Sequence, residues 1–216
     1  MNVLLAGVVG STAYGLSHPG SDTDVLGMFA APTEELHGLR PPRESLVSTD
    51  PDTTYHEAGK ALRLILGGNP TAGELLWLDT YQVRTPLGEE LVALRGSLLS
   101  ERGVRDAYLG YAAQQFRKLL NRGPDQSARA AKHARHLVRL LLQAEGLHRT
   151  GVLTVRLDDP EHVRRLGVRI AEDPDRARPL LARAEAVFRT GGVLPEQPDR
   201  AAAEDWLRRV RRAFFI

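Results

Sequence analysis

The 216-residue sequence predicts an α+β protein, with a small mixed β-sheet and flanking helices followed by an α-helical region. Two observations predict this fold class. Apolar runs of strand length alternate with clusters of turn residues in the first part of the chain. After about Leu87, apolar residues recur at three- and four-residue spacings, which is typical of helices. We therefore predict two domains, comprising residues 1–95 and 96–216.

The predicted strands lie in the first domain. Asn2–Val9 is a continuous apolar run of strand length that ends at Gly10. Three further strands are predicted at Asp24–Ala30, Thr53–His56 and Tyr81–Val83. The segment from Pro32 to Pro51 is rich in proline and polar residues, so we predict a long connection there.

The first helix is predicted from Glu57, where the spacing of apolar residues changes, to the Gly67-Gly68 pair that ends it. A second helix is predicted at Thr71–Leu78, with Thr71 as its cap, and Asn69 before Pro70 is a turn residue that could also cap it. Proline near the start of most of the later helices suits the first helical turn. These helices are predicted at Pro86–Arg95, Ser100–Arg122, Ala128–Arg149, Pro160–Ala171, Pro174–Arg189 and Pro198–Ala213.

The composition excludes several classes of protein. Hydrophobic residues make up 42% and charged residues 26% of the chain, so it has enough apolar material to bury a core. No apolar run approaches the roughly 18–20 residues of a membrane span. The absence of cysteine excludes disulfides and thiolate metal sites, and it fits a cytoplasmic location. The formal net charge of +2 does not by itself indicate a nucleic-acid binder.

One segment combines a Gly-Ser turn with a pair of aspartates. Gly10 allows the backbone to approach a ligand closely, and Ser11 offers an amide and a hydroxyl to an anion at a helix N-terminus. Asp22 and Asp24 are two residues apart, so in a strand their carboxylates would lie side by side and repel each other without a cation between them. Mg²⁺ prefers such ligands together with substrate phosphates. The combination predicts metal-assisted phosphoryl or nucleotidyl transfer.

The aspartate pair has three other interpretations. A bare D-x-D is most often turn and cap chemistry. An aspartyl phosphatase also has a D-x-D-x-V-L pattern, but it needs an apolar strand directly before the first aspartate, where this chain has Ser17–Ser21. A sugar transferase with a lone D-x-D leaves the Gly-Ser turn unexplained.

The segment "VVGSTAYGLSHPGSDTDVLGMF" resembles the DNA polymerase β-like nucleotidyltransferase superfamily. Its "GSTAYGL" form is similar to a bacterial and phage family of predicted nucleotidyltransferases described as RNA-repair-pathway polymerase β-like proteins. Two further blocks carry the same resemblance. They are "DTTYHEAGKALRLILGGNPTAGELLW", residues 52–77, and "KHARHLVRL", residues 132–140.

The resemblance implies that Asp22 and Asp24 are catalytic carboxylates that bind Mg²⁺, with Mn²⁺ as a substitute. It also implies a third carboxylate on a nearby strand, which helps to bind the second metal and to deprotonate the attacking hydroxyl. Asp52 is the candidate, and Asp50 and Glu57 are alternatives. Asp50 suits a turn, and Glu57 suits a helix N-terminus.

A second group of residues is expected to bind the nucleotide and its phosphates. Gly10 and Ser11 form the turn, and Lys60 lies on the helix after the third predicted strand. The remaining residues share one stripe of a later helix at positions i, i+4 and i+7, and they are Lys132, His136 and Arg139. Alternatively, Lys60 and the residues of this helical stripe do not bind phosphate and simply form a solvent-exposed surface.

The resemblance implies Mg²⁺-dependent transfer of a nucleoside monophosphate from an NTP to a hydroxyl, with release of pyrophosphate. It favours an RNA 3′ end as acceptor, and leaves a tRNA, a small molecule or a protein side chain open. An alternative from another class is a catalytically silent module that binds an NTP or a partner. A toxin–antitoxin component that modifies a protein or tRNA is a related alternative.

Overall fold

The computed structural model describes residues 1–121 and 127–215. It confirms the predicted fold class, because a five-stranded mixed sheet precedes a largely helical second half. The strands follow the order β3-β4-β2-β1-β5 across the sheet. Their bounds are Asn2–Val9 (β1), Asp24–Ala30 (β2), Ser45–Thr49 (β3), Asp52–Glu57 (β4) and Val83–Arg84 (β5).

The register of the sheet brings three strand ends together. β1 is antiparallel to β2, with Val9 opposite Asp24. β2 is parallel to β4, with Val25 opposite Thr53, so Asp24 and Asp52 begin neighbouring strands at the same level. The end of β1 and the starts of β2 and β4 therefore meet at one edge of the sheet.

Helices surround this sheet and form most of the second half of the chain. Shorter 3₁₀ turns lie at Glu34–His37, Leu75–Trp77 and Pro174–Ala177. The helices of the described residues are Gly10–Tyr14 (α1), Ala58–Leu66 (α2), Pro70–Glu74 (α3), Pro86–Leu94 (α4), Glu101–Leu120 (α5), Ser127–Thr150 (α6), Pro160–Glu172 (α7), Arg178–Val187 (α8) and Arg200–Ala213 (α9).

The helix α6 is central to the second half, where it packs against α5, α7 and α8. The chain then returns to its beginning, because α9 packs on α2 and α4. The indole of Trp206 donates to the carbonyl of Leu87 at 2.9 Å, and Arg211 pairs with Glu57. One apolar core connects the sheet to these helices. The division into domains between residues 95 and 96 stays a prediction.

Several predicted elements differ from those observed. β3 lies inside the segment predicted as a connection, and its residues are half-buried or exposed. The cap of α3 is Asn69, whose Oδ1 accepts from the amide of Ala72 at 3.0 Å, and not Thr71. The predicted helix end at Arg122 lies outside the described residues. Within residues 1–121 and 127–215, none of the helices has both the length and the apolar character needed to cross a bilayer.

Candidate active site

A cleft of about 400 Å³ opens at the edge of the sheet where β1 ends and β2 begins. One wall comes from the turn after β1 and the segment leading into β2, and the facing wall comes from α6. Both walls carry residues that the sequence predicted for the site. The residues that line the cleft are Gly10, Ser11, Tyr14, Leu16, His18, Gly20, Ser21, Asp22, Asp24, Lys132, Arg135, His136 and Arg139.

The turn at Gly10 requires glycine for two reasons. Its φ of 68° lies in the left-handed region, which side chains with a Cβ disfavour. A Cβ at this position would also collide with Oδ2 of Asp24. The backbone of the turn therefore sits directly against the carboxylate that begins β2, and Ser11 follows at the mouth of the cleft.

Asp24 and Asp52 are neighbours on parallel strands, and their carboxylates are close enough to influence each other. Burial raises the pKa of Asp24 above its ordinary value, the neighbouring Asp52 raises it further, and Lys132 opposes both effects. Asp22 lies in the segment before β2 and is exposed, so the prediction that it shares a strand with Asp24 is wrong. Asp22 nevertheless lines the cleft and acts on Asp24 through its charge.

The carboxylates of this acidic group could hold a divalent cation. The two adjoining carboxylates repel each other, as the raised pKa of Asp24 shows. A hard cation bound between them would reduce this repulsion. In the described part of the chain, no three His, Cys, Asp or Glu side chains are grouped as a ready-made metal site. The donor set therefore fits Mg²⁺, which commonly takes one or two carboxylates and obtains its other ligands from phosphates and water.

The facing wall is basic. Lys132 is exposed at the cleft, and its positive charge acts across the cleft to lower the pKa of Asp24. Arg135 lies one turn further along α6 and also lines the cleft. Sequence reasoning missed Arg135, although its spacing of three residues from Lys132 places it on the same stripe of the helix.

Arg139 is part of this wall but is 2% exposed, and its ion-pair partner Glu74 on α3 is fully buried. Its Nη1 donates to Glu74 and, at 2.6 Å, to Oε1 of Gln143. The guanidinium lies 4.0 Å from the ring of Tyr14, whose hydroxyl donates to Oε2 of Glu74 at 2.6 Å. Arg139 thus connects three elements, and sequence reasoning missed its partner Glu74, which is distant in the chain.

His136 is a neutral member of the basic wall. Burial lowers its pKa to about 3, and the charges of Arg139, His133, Lys118 and Lys132 act in the same direction. The sequence placed His136 in a basic stripe, but the structure makes its imidazole uncharged at neutral pH.

Lys60 lies apart from the cleft. It follows β4 at the end of the strand opposite to Asp52, and its Nζ donates to Oγ of Ser45 at 2.6 Å. Oγ of Ser45 is also 2.8 Å from Nδ1 of His56. The structure therefore does not bring Lys60 to the other residues of the predicted site.

The two alternative carboxylates are also apart from the cleft. Glu57 caps α2 by accepting from the amide of Gly59 at 2.8 Å, as its position at a helix start predicted. Asp50 lies in the turn between β3 and β4, where its amide donates to Oγ of Ser48. Among the three candidates, Asp52 is the one that the sheet places beside Asp24.

The resemblance to polymerase β-like nucleotidyltransferases predicts a mixed sheet in which a Gly-Ser turn lies beside aspartates at the starts of neighbouring strands. The structure has this arrangement. The chain belongs to the RNA repair pathway DNA polymerase beta family (RlaP), whose sequence model matches residues 1–189. The match extends across the cleft, from the β1 turn to α6 and beyond. No curated protein is significantly similar to the chain.

Proposed function

We propose that the protein is a Mg²⁺-dependent nucleotidyltransferase that transfers a nucleoside monophosphate from an NTP to a hydroxyl and releases pyrophosphate. The observation that carries this proposal is the pairing of β2 with β4, which puts Asp24 and Asp52 side by side next to the Gly10 turn. Asp24 and the Gly10 turn face a basic wall across one cleft, an arrangement that suits a metal–triphosphate ligand.

The residues that line the cleft, and Asp52, which adjoins Asp24 without lining the cleft, have separate tasks in this proposal. Asp24 and Asp52 would hold Mg²⁺, or Mn²⁺ in its place, with Asp22 as a further ligand. The ion would supply charge neutralisation and activation of the acceptor oxygen. Gly10 and Ser11 offer close backbone approach and hydrogen bonds to phosphate oxygens, while Lys132 offers a positive charge on the facing wall.

We favour an RNA 3′ end, including that of a tRNA, as the acceptor because membership of an RNA repair pathway family supports it. We also propose the cytoplasm, where NTPs and Mg²⁺ are abundant, as its location. We take ATP as the first NTP to test.

The proposal is tested by incubating the protein with each α-³²P-labelled NTP, Mg²⁺ and total RNA. We expect label to enter RNA and pyrophosphate to appear in equal amounts, and EDTA to stop both. RNA whose 3′ ends are oxidised has no hydroxyl acceptor there, and in a parallel reaction it should gain no label. If RNA with intact 3′ ends gains no label from any of the four NTPs in the presence of Mg²⁺, transfer to RNA is refuted.

A second candidate function is binding of an NTP or a partner without transfer. It is favoured by the described residues having no group of three metal-binding side chains, because transfer depends on bound metal ions and binding of a partner does not. Binding of ATP without release of pyrophosphate from any of the four NTPs would favour this candidate over transfer.

Replacing Lys132 by Ala should weaken binding of ATP and leave binding of AMP nearly unchanged. The reason is that Lys132 faces Asp24 across the cleft, where the phosphates that AMP lacks would lie. A charge-assisted hydrogen bond contributes about 1.5–3 kcal/mol, so the Kd for ATP should rise roughly 10- to 150-fold. Calorimetric titrations of both nucleotides measure the difference.

Lys60→Ala provides the matched control, because Lys60 is another lysine on a helix but lies outside the cleft. Its ATP affinity should equal that of the wild type. A loss of ATP affinity as large as that of Lys132→Ala would mean that Lys60 binds phosphate, as the sequence predicted. Equal ATP affinities for Lys132→Ala and wild type would remove Lys132 from it.

A further inference from the structure

Arg139 contacts one ring nitrogen of His136. Its Nη2 lies 3.3 Å from Nε2 of His136. A guanidinium can donate hydrogen bonds but cannot accept them, so Nε2 must be the accepting, unprotonated nitrogen. The imidazole is then neutral, and its single proton lies on Nδ1.

The position of Arg139 is itself tightly held. Glu74 and Gln143 accept from its Nη1, and the ring of Tyr14 lies under the guanidinium. Because Arg139 and Glu74 are almost completely buried, water cannot replace these contacts. The guanidinium is therefore a rigid donor toward Nε2 of His136.

The second nitrogen of His136 is left for a ligand. Within the described residues, Nδ1 has no hydrogen-bond partner, and it is not sealed from solvent. The side chain lines the cleft on the same face of α6 as Lys132 and Arg135. Gly10, Ser11 and Asp24 line the same cleft, so a ligand held there would lie within reach of this wall.

We propose that His136 acts as an uncharged hydrogen-bond donor whose Nδ1–H contacts a phosphate oxygen of the bound nucleotide, and that Arg139 sets its tautomer. The proposal rests on the proposed function for the identity of the ligand. A neutral donor holds a phosphate oxygen without adding positive charge, so the negative charge of the phosphates stays available to a metal ion. The depressed pKa of His136, caused mainly by burial, agrees with this role.

The tautomer can be measured without any nucleotide. Long-range ¹H–¹⁵N correlation spectra of the ¹⁵N-labelled protein distinguish protonated from unprotonated ring nitrogens. The signal of His136 is assigned as the one of the seven histidine patterns that disappears in His136→Asn and in His136→Phe. At pH 7 we expect a proton on Nδ1 and none on Nε2. A proton on Nε2, or on both nitrogens, overturns the proposal.

The contact with phosphate is tested by a matched pair of substitutions. Both His136→Asn and His136→Phe remove the acceptor for Arg139, but the Asn amide, which also branches from Cγ, can place a donor near the position of Nδ1. With Mg²⁺–tripolyphosphate and Mg²⁺–ATP as probes, we expect His136→Phe to raise Kd by roughly 3- to 10-fold and His136→Asn to stay within about twofold of wild type. Equal losses in both variants overturn the contact.

The results separate this proposal from the proposed function. If wild-type protein binds ATP but transfers nothing, nucleotidyl transfer is refuted while the spectra and the Asn–Phe comparison still support the role of His136. If wild-type protein binds neither ATP nor tripolyphosphate, both proposals are overturned. Transfer to RNA together with a proton on Nε2 overturns only the role assigned to His136.

Discussion

Replacing Asp24 by Asn is expected to reduce nucleotidyl transfer by at least about 10³-fold and to raise the melting temperature of the metal-free protein. Activity should fall because the amide neither carries the charge nor holds the ion that the carboxylate would. Stability should rise because burial and the adjoining Asp52 disfavour the ionised form of Asp24 in the folded state. A purely structural aspartate would give the opposite result for stability.

The gain in stability should depend on pH in a defined direction. The pKa of Asp24 is raised in the folded protein, so the folded state holds this proton at pH values where the unfolded chain has lost it. The wild type is therefore destabilised relative to Asp24→Asn as pH rises from the ordinary aspartate pKa through the raised one. Melting curves in EDTA should differ little at pH 4 and more at pH 7.

Adding Mg²⁺ should stabilise the wild type and leave Asp24→Asn unchanged. Asp52→Asn should behave like Asp24→Asn, because the two carboxylates adjoin. Asp50→Asn is the matched control, since it removes a nearby exposed aspartate that lies in the turn before β4. More than a few per cent of residual activity in Asp24→Asn, or an equal loss in Asp50→Asn, would contradict the metal assignment.

The sequence predicted β1 and β2 with their observed bounds, because both are apolar runs bounded by glycine, proline and polar residues. It missed β3, a strand at the edge of the sheet whose Val47 is 67% exposed. Such a strand buries little apolar surface and so carries no clear periodic pattern. Its existence depends on pairing with β4, which local sequence does not encode.

The candidate site shows a similar division. Gly10, Ser11 and Asp24 could be found because the turn and the strand that hold them are adjacent in sequence. Asp52 was found through the resemblance and not through local pattern. The burial of Arg139 could not be predicted from its helical stripe, because its partner Glu74 is 65 residues away in the chain. Spacing along a helix identifies residues that share a face, but not what that face meets.

Arg139→Met should lower the free energy of unfolding by about 3–5 kcal/mol, the usual cost of removing one partner from a buried ion pair. The loss arises because Glu74 keeps a carboxylate in a fully buried position without its cation. Burial already raises the pKa of Glu74, and Arg139 opposes that shift. In the variant the pKa should rise further, so the destabilisation should be larger at pH 8 than at pH 5.

Urea denaturation at both pH values measures this effect, and Arg63→Met is the matched control. Arg63 pairs with Glu44 on the surface, where the two side chains are 64% and 58% exposed, so its loss should cost less than about 1 kcal/mol. Adding Glu74→Gln to Arg139→Met removes the unpaired charge while keeping an acceptor for the Tyr14 hydroxyl. The double variant should therefore recover part of the lost stability and lose the pH dependence. If Arg139→Met lowers the free energy of unfolding no more than Arg63→Met does, the buried contacts of Arg139 do not stabilise the protein. Arg139 would then not be a rigid hydrogen-bond donor toward His136.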